Sequence, residues 1–283
     1  MTSHYYRPKE LSEALDLLAA APLCVAAGCT DLFPATERKT LQGDVLDITR
    51  IAQLRGFSHD VGGNLRIGAT TTWADIIRSP LPPAFDGLKR AAREVGARQI
   101  QNQGTLAGNL CNASPAADGV PPLLTLDARV EVQSTGGTRQ IALSDFIQGP
   151  RMTALGAGEM VTAIIVPPVG QFGIGHFRKL GARDYLVISI AMTAARMVVT
   201  DGIVQDIALA IGSCGPTAVR LRAIEADMTG RPPDPSLIAD EAVALAIAPI
   251  DDMRADAGYR RISAAELLRR TVADLSASQV VAA

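Results

Sequence analysis

The stretch from Gln103 to Asp118, reading Gln-Gly-Thr-Leu-Ala-Gly-Asn-Leu-Cys-Asn-Ala-Ser-Pro-Ala-Ala-Asp, constrains this chain more than any other part. It compresses glycine, small residues and neutral polar groups ahead of an apolar segment. Gly104 and Gly108 give the main chain access to conformations closed to other residues, while Ala107, Ala113 and Ser114 leave room for a ligand to reach peptide N–H groups. Pro115 suits the first turn of a following helix, whose N-terminal amides add partial positive charge. A second loop of the same character lies upstream at Ala26-Ala27-Gly28-Cys29-Thr30-Asp31-Leu32. Two such loops predict one extended, polyanionic ligand gripped at two places.

With 283 residues the chain is long enough for two domains with cores that need no external staple. Its 27 Lys and Arg are interspersed with 29 Asp and Glu, so it lacks the basic field that nucleic acid or an anionic membrane requires. No apolar run approaches the roughly 20 residues of a membrane span. The N-terminal Tyr5-Tyr6-Arg7-Pro8-Lys9 has no apolar stretch of signal-peptide type, and a cytoplasmic location is the expectation. Cys24, Cys29, Cys111 and Cys214 lack the spacing of a zinc or iron–sulfur site and are expected to be buried, reduced thiols. The three histidines, His4, His59 and His176, stand apart from any Cys or carboxylate pair, so no metal is expected here.

Periodicity places a helix over 11–20, a strand over 23–26 leading into the first loop, and a strand over 44–49. Residues 54–58 pair with 65–68 across Gly62-Gly63-Asn64. Thr72 with Asp75 caps a helix that begins at Trp73, and an amphipathic helix covers 84–95. Beyond the main loop come a helix over 120–128, a hairpin of 129–133 with 138–141, and a strand over 160–166. Pro167-Pro168, with Gly170 and Gly173, marks the domain boundary. An antiparallel meander follows over 175–180, 187–200 and 203–211, turning at Asp201-Gly202. Helices then cover 218–228 and 236–247, with a last one capped by Ser263 and Glu266.

Nucleophile-elbow, Walker and Rossmann glycine signatures are absent. The chain instead resembles, over nearly its whole length, the FAD-binding medium subunits of the xanthine dehydrogenase family of molybdenum hydroxylases, which includes the carbon monoxide dehydrogenase flavoprotein. The family's Ala-Gly-Gly-Thr-Asp-Leu stands here as Ala27-Gly28-Cys29-Thr30-Asp31-Leu32, with Cys29 for the second glycine. Its Thr-Ile-Gly-Gly-Asn, followed by Ala-Ser-Pro and Asp, stands as Thr105-Leu106-Ala107-Gly108-Asn109, Ala113-Ser114-Pro115 and Asp118. Ala107 replaces a glycine, so its backbone must avoid glycine-only angles. The resemblance implies an α+β fold. A two-part FAD-binding domain of the PCMH (vanillyl-alcohol-oxidase-like) type spans 1–169, with subdomains of about 1–55 and 56–169. A small domain with a three-stranded antiparallel sheet and a helical bundle spans 173–283.

It further implies that the two loops hold the FAD pyrophosphate, through Val25, Ala26, Ala27, Gly28, Cys29, Thr30, Asp31 and Leu32 on one side and Thr105, Ala107, Gly108, Asn109, Ala113 and Ser114 on the other. Asp118 would hold the ribityl or adenosine side, and Val95, Val161, Arg178 and Lys179 would contact the cofactor. By itself Asp31 suits a turn or helix cap equally well. Leu186 stands where many relatives carry Asp, close to the basic residue Arg183. The implied function is electron transfer from [2Fe–2S] clusters on a small partner subunit, through FAD, to NAD+, oxygen or a quinone. The molybdenum cofactor would sit on a large partner subunit that hydroxylates a purine, other N-heterocycle or aldehyde, in a dimer of heterotrimers. No Cys-rich insertion of the 4-hydroxybenzoyl-CoA reductase type occurs. The competing readings are a stand-alone flavin oxidase or reductase, and a binding module without cofactor.

Overall fold

The computed structural model describes residues 4–36, 41, 43–184 and 186–282, with side chains described as far as residue 277. The chain begins with a small parallel sheet. Strands β1 (Tyr5–Tyr6), β2 (Cys24–Ala26) and β3 (Val45–Asp47) lie in the order β1-β3-β2, and α1 (Leu11–Ala20) makes the crossover that a parallel arrangement demands. Helix α1 buries Leu11, Ala14, Leu15 and Leu18, one face at the spacing of a 3.6-residue repeat, against Leu46, Ile48 and Ile51.

The second layer is a five-stranded antiparallel sheet. Strands β4 (Phe57–His59) and β5 (Leu65–Gly68) lead to α2 (Trp73–Arg78), α3 (Asp86–Glu94), α4 (Arg98–Gln103), α5 (Leu106–Asn112) and α6 (Val120–Thr125). The chain then returns through β6 (Arg129–Ser134), β7 (Gly137–Ala142), α7 (Leu143–Phe146), the hairpin β8 (Ile147–Gly149) with β9 (Met152–Thr153), and β10 (Met160–Val166). The sheet order is β4-β5-β10-β6-β7. Its last-made strand, β10, is therefore central, which is why all seven of its residues are buried and nearly all apolar. The exception is Thr162, whose hydroxyl donates to Glu131 at 2.7 Å. Helix α2 carries the full capping box, Asp75 N–H to Thr72 Oγ1 at 3.2 Å and Thr72 N–H to Asp75 Oδ2 at 3.0 Å, and anchors Trp73 in the core.

The third layer is an antiparallel sheet of β11 (Ile174–Leu180), β12 (Ala191–Thr200), β13 (Ile203–Gly212) and β14 (Val219–Arg220), packed by α8 (Arg222–Met228), α9 (Asp240–Ala246) and α10 (Ala257–Ala282). Asp201 and Gly202 both take positive φ, +51° and +74°, as a two-residue hairpin turn requires. Among the described residues, no helix is long and apolar enough to cross a membrane.

Several expectations are corrected. The meander gains a fourth short strand, because residues 219–220 pair with β13 at Ala210 and Ile211 and so cannot begin the helix expected from 218. Its middle strand starts at Ala191, four residues later than expected, after a loop in which Ser189 Oγ donates to Asp118 at 2.6 Å. Ser263 lies inside α10, which starts at Ala257 where Asp251 accepts from the Ala257 N–H at 2.6 Å. Pro115 sits in a turn; Pro121 and Pro122 take the first turn of α6, where a missing N–H costs nothing. The expected helix over 84–95 divides into a single 3-10 turn over Pro83–Phe85 followed by α3. Of the four cysteines only Cys214 is buried; Cys24 and Cys29 are half-buried and Cys111 is exposed.

The third layer packs on the second through main chain. A Cβ on Gly175 would fall 2.2 Å from the Ala84 carbonyl oxygen, and one on Gly87 would fall 2.9 Å from that of His176, so β11 and the start of α3 touch backbone to backbone. Arg196, 1% exposed, then crosses the junction: Nε donates to the Thr125 carbonyl at 2.8 Å, Nη1 to Phe172 at 3.1 Å and Nη2 to Asp206 at 2.7 Å.

Arg196→Met should lower stability in urea unfolding by about 3 kcal/mol, because it strips the donor from two carbonyls in a buried junction. A second expectation concerns acid. Burial, reinforced by Arg90 and Arg178 and opposed by Asp274, depresses His176 from 6.5 to about 4. The folded protein then binds fewer protons than the unfolded chain between those values, so stability held above pH 6.5 is lost as pH falls toward 4. His176→Gln should remove up to about 3 kcal/mol of that acid sensitivity, read as the difference in urea midpoints at pH 7 and pH 4.5.

Candidate binding cleft

A cleft of about 660 Å³ runs between the small parallel sheet, helix α5 and the near edge of the third layer. The chain enters it from β2, which presents Val25, and continues through Ala27, Gly28, Cys29, Thr30, Asp31 and Leu32 along one wall. Thr105, Ala107, Gly108, Asn109 and Ser114 form the facing wall, with Val95 and Val161 adding apolar surface and Asp118 and Lys179 closing one side. Three of the residues expected here are elsewhere. Ala26 is turned into the core, and Ala113 is fully buried. Arg178 pairs with Asp274 at 2.7 Å in a neighbouring polar pocket with Arg90 and Arg93.

The two loops touch. A Cβ on Gly28 would lie 2.1 Å from the Gln103 carbonyl oxygen and 2.9 Å from Gly104 Cα. The reason for glycine is thus close approach: neither Gly28, Gly104 nor Gly108 takes a positive φ, contrary to the expectation that the last two serve unusual backbone angles. The left-handed position falls instead on Cys29, at φ +57°, with its thiol 3.5 Å from the Ala27 carbonyl. Burial raises the thiol's pKa. An αL residue within a turn can direct successive amides to one side. The N–H groups of Gly28, Cys29, Thr30 and Asp31 have no partner among the described residues.

The facing wall is more ordered than a loop. Thr105 caps α5, its Oγ1 accepting from the Gly108 N–H at 3.1 Å, and Gly104 O and Leu106 N–H bond to Trp73 and Thr71 at 3.1 and 3.0 Å. A Cβ on Gly108 would meet that same Oγ1 at 2.7 Å, so the cap excludes a larger residue. Ala107 sits in the first turn of α5 at an ordinary negative φ, which is why alanine is accepted there, and its N–H also lacks a partner among the described residues. Asn109 Oδ1 accepts from the Gly119 N–H at 3.3 Å, and Ser114 Oγ from Ala116 at 3.2 Å; both polar side chains fold the turn that delivers Asp118.

Asp118 is buried at the seam of the second and third layers. It accepts from Lys179 Nζ at 2.7 Å and Ser189 Oγ at 2.6 Å. Burial pushes its carboxyl above the ordinary carboxylate range, and Lys179 and Ser189 oppose that shift. Three further residues contribute without any local sequence signal. Val187 and Ile188, expected in a strand, are loop residues that present apolar surface to the cleft. Arg151, at the tip of the β8–β9 hairpin, spans both walls: Nη1 donates to Asp31 Oδ2 at 3.0 Å and to the Asn112 carbonyl at 3.1 Å, and contacts Asn112 Oδ1. No local pattern around residue 151 announces this, since it depends on a hairpin reaching back across more than a hundred residues.

The geometry separates two neighbouring residues. Gly28→Ala should cost about 1–3 kcal/mol in thermal unfolding, as overpacking against main chain does. Cys29→Gly should stay within about 1 kcal/mol of the parent, because relief of an αL penalty of about 1–2 kcal/mol is offset by added freedom in the unfolded chain.

Comparison with known proteins bears on what fills such a cleft. Residues 1–169 match the family described as FAD binding domain in molybdopterin dehydrogenase, and residues 176–275 match the CO dehydrogenase flavoprotein C-terminal domain. The chain is 32% identical over 263 residues to the putative xanthine dehydrogenase FAD-binding subunit of Escherichia coli K12, covering 90% of each. It is 31% identical over 280 residues to the nicotine 6-hydroxylase medium subunit of Paenarthrobacter nicotinovorans, covering 96% of this chain and 97% of that one. A chain of the reconstituted CO dehydrogenase from Oligotropha carboxidovorans superposes with a TM-score of 0.90 at 26% identity, covering 98% of each. With two touching glycine loops, open amides and these matches along almost its whole length, the chain belongs to the FAD-binding medium-subunit family of the molybdenum hydroxylases.

Proposed function

We propose that this chain binds FAD in the cleft and serves as the flavoprotein subunit of a molybdenum hydroxylase. It would receive electrons from [2Fe–2S] clusters of a small subunit and deliver them to an external acceptor, NAD+, oxygen or a quinone. A large molybdopterin-binding subunit would carry out the hydroxylation of a purine, other N-heterocycle or aldehyde, in a dimer of heterotrimers. The proposed units are an FAD-binding domain over 1–169 and a flavoprotein C-terminal domain over 173–283. The observation that carries the reading is the pair of loops in backbone contact, with amides unpartnered among the described residues, lining a cleft whose volume, about 660 Å³, suits a cofactor.

The residues fit that cofactor. The amides of Gly28 to Asp31, with that of Ala107, would hold the diphosphate. Val25, Val95, Val161, Val187 and Ile188 offer apolar surface for rings. Asp118 holds the Lys179 ammonium at the cleft wall at 2.7 Å, where a cation would favour electron-rich states of a bound ring. When bound, FAD supplies the exchange between one-electron and two-electron steps that side chains cannot perform.

The stand-alone oxidase reading needs a group free to move a substrate proton. In the cleft, Asp31 is paired with Arg151, Asp118 with Lys179 and Glu159 with Arg139, leaving Glu94 as the one lining carboxylate without an ion pair among the described residues, and no His or Tyr is among the lining residues described, which supports the subunit reading. The cofactor-free reading would draw on the replacement of family glycines by Cys29 and Ala107, but Cys29 takes the left-handed conformation and Ala107 an ordinary helical one, so neither removes a main-chain amide from the cleft wall.

The purified chain should be yellow, absorbing at roughly 450 nm as oxidised flavins do. Purines and aldehydes should leave that absorbance unchanged until the two partner subunits are added. Bleaching by such a substrate with this chain alone would overturn the subunit reading, and a colourless protein that takes up no FAD would overturn both.

A further inference from the structure

The cleft has an electrostatic problem at the loop that would receive a diphosphate. Asp31 carries a carboxylate next to the amides of Gly28, Cys29 and Thr30, which have no partner among the described residues, and a fixed negative charge there repels a phosphate-bearing ligand. The structure also contains the remedy. Arg151 comes from the β8–β9 hairpin, on neither loop, and is itself at φ +61°, a conformation that non-glycine residues seldom adopt. Its backbone N–H bonds the Ala113 carbonyl at 2.9 Å, fixing the hairpin tip to the end of α5. Its guanidinium then uses a single nitrogen, Nη1, for Asp31 and Asn112, one residue from each wall. Nε and Nη2 have no partner among the described residues, and the side chain, 59% exposed, lines the cleft.

We propose that Arg151 is an FAD-positioning strap: it neutralises Asp31, holds the two walls at a fixed separation and offers its remaining N–H groups to the diphosphate. The other cation of the cleft lining, Lys179, is locked onto buried Asp118 and cannot take this part. Arg suits the position because a planar fork can satisfy a carboxylate with one nitrogen and a phosphate with the others, which an ammonium cannot do. The inference rests on the FAD reading above.

The test is a double-mutant cycle read as binding of FAD by quenching of its fluorescence, with ADP as a competing ligand that carries the diphosphate alone. Arg151→Met should weaken FAD and ADP by about tenfold or more, the worth of a lost charge-assisted hydrogen bond. Asp31→Asn should stay within about threefold of the parent, since it removes the strap's ion pair and the repulsion together. Arg151→Met in the Asp31→Asn background should cost at least about threefold less than in the parent, and Arg151→Lys should recover part of the loss. Near-UV circular dichroism of each variant separates misfolding from lost affinity. Parental affinity for FAD and ADP in a folded Arg151→Met overturns the proposal, as does an undiminished loss in the Asp31→Asn background. If the parent itself binds no FAD, the cofactor reading falls first, and that result is distinct from either of these.

Discussion

Everything in the cleft depends on one backbone contact. The Gln103 carbonyl occupies the place where any side chain on residue 28 would begin, 2.1 Å from an added Cβ. That contact brings the loop after β2 against the start of α5, although the two belong to different sheets. Immediately after it, Cys29 takes the left-handed conformation at φ +57°. A ligand site made of main-chain amides is only as well defined as the main chain, and here the definition comes from the absence of a methyl group.

Charge completes what backbone begins. Three acidic side chains of the cleft are each assigned to a cation from another part of the sequence: Asp118 to Lys179, Asp31 to Arg151, Glu159 to Arg139. Such pairs contribute little when exposed and cost desolvation when buried. Their value here is positional. Asp118 and Lys179 in particular join the turn before α6 to β11, so the wall of the cleft and the seam between layers are the same structure.

The fold was legible where local chemistry repeats: the capping box at Thr72, the nearly all-apolar β10, the Asp201-Gly202 turn and the pairing of 129–133 with 138–141 all stand as expected. The two loops were legible because their glycines and small residues are contiguous. The physical role of those glycines was not, since close approach and unusual backbone angles leave the same residue in a sequence. Ser263 misled because a serine and a glutamate three apart also fit the interior of a long helix, where α10 places them. Arg151 and the covering role of Val187 and Ile188 were invisible because both arise from tertiary placement. Arg178, one residue from Lys179 on a strand, necessarily faces the opposite side.

Gly87 and Gly175 touch far from the loops, yet they bear on the cofactor wall. From Gly87, α3 runs seven residues to Glu94, about 10 Å at the helical rise; from Gly175, β11 runs four residues to Lys179, about 13 Å at the strand rise. The two meet again where the Glu94 carbonyl receives Lys179 Nζ at 3.5 Å. Helix and strand therefore form a closed triangle with a rigid vertex roughly a nanometre from the site. A methyl group added at that vertex would be magnified along both arms, so the placement of an ammonium already paired with Asp118 also depends on two residues that have no side chain at all.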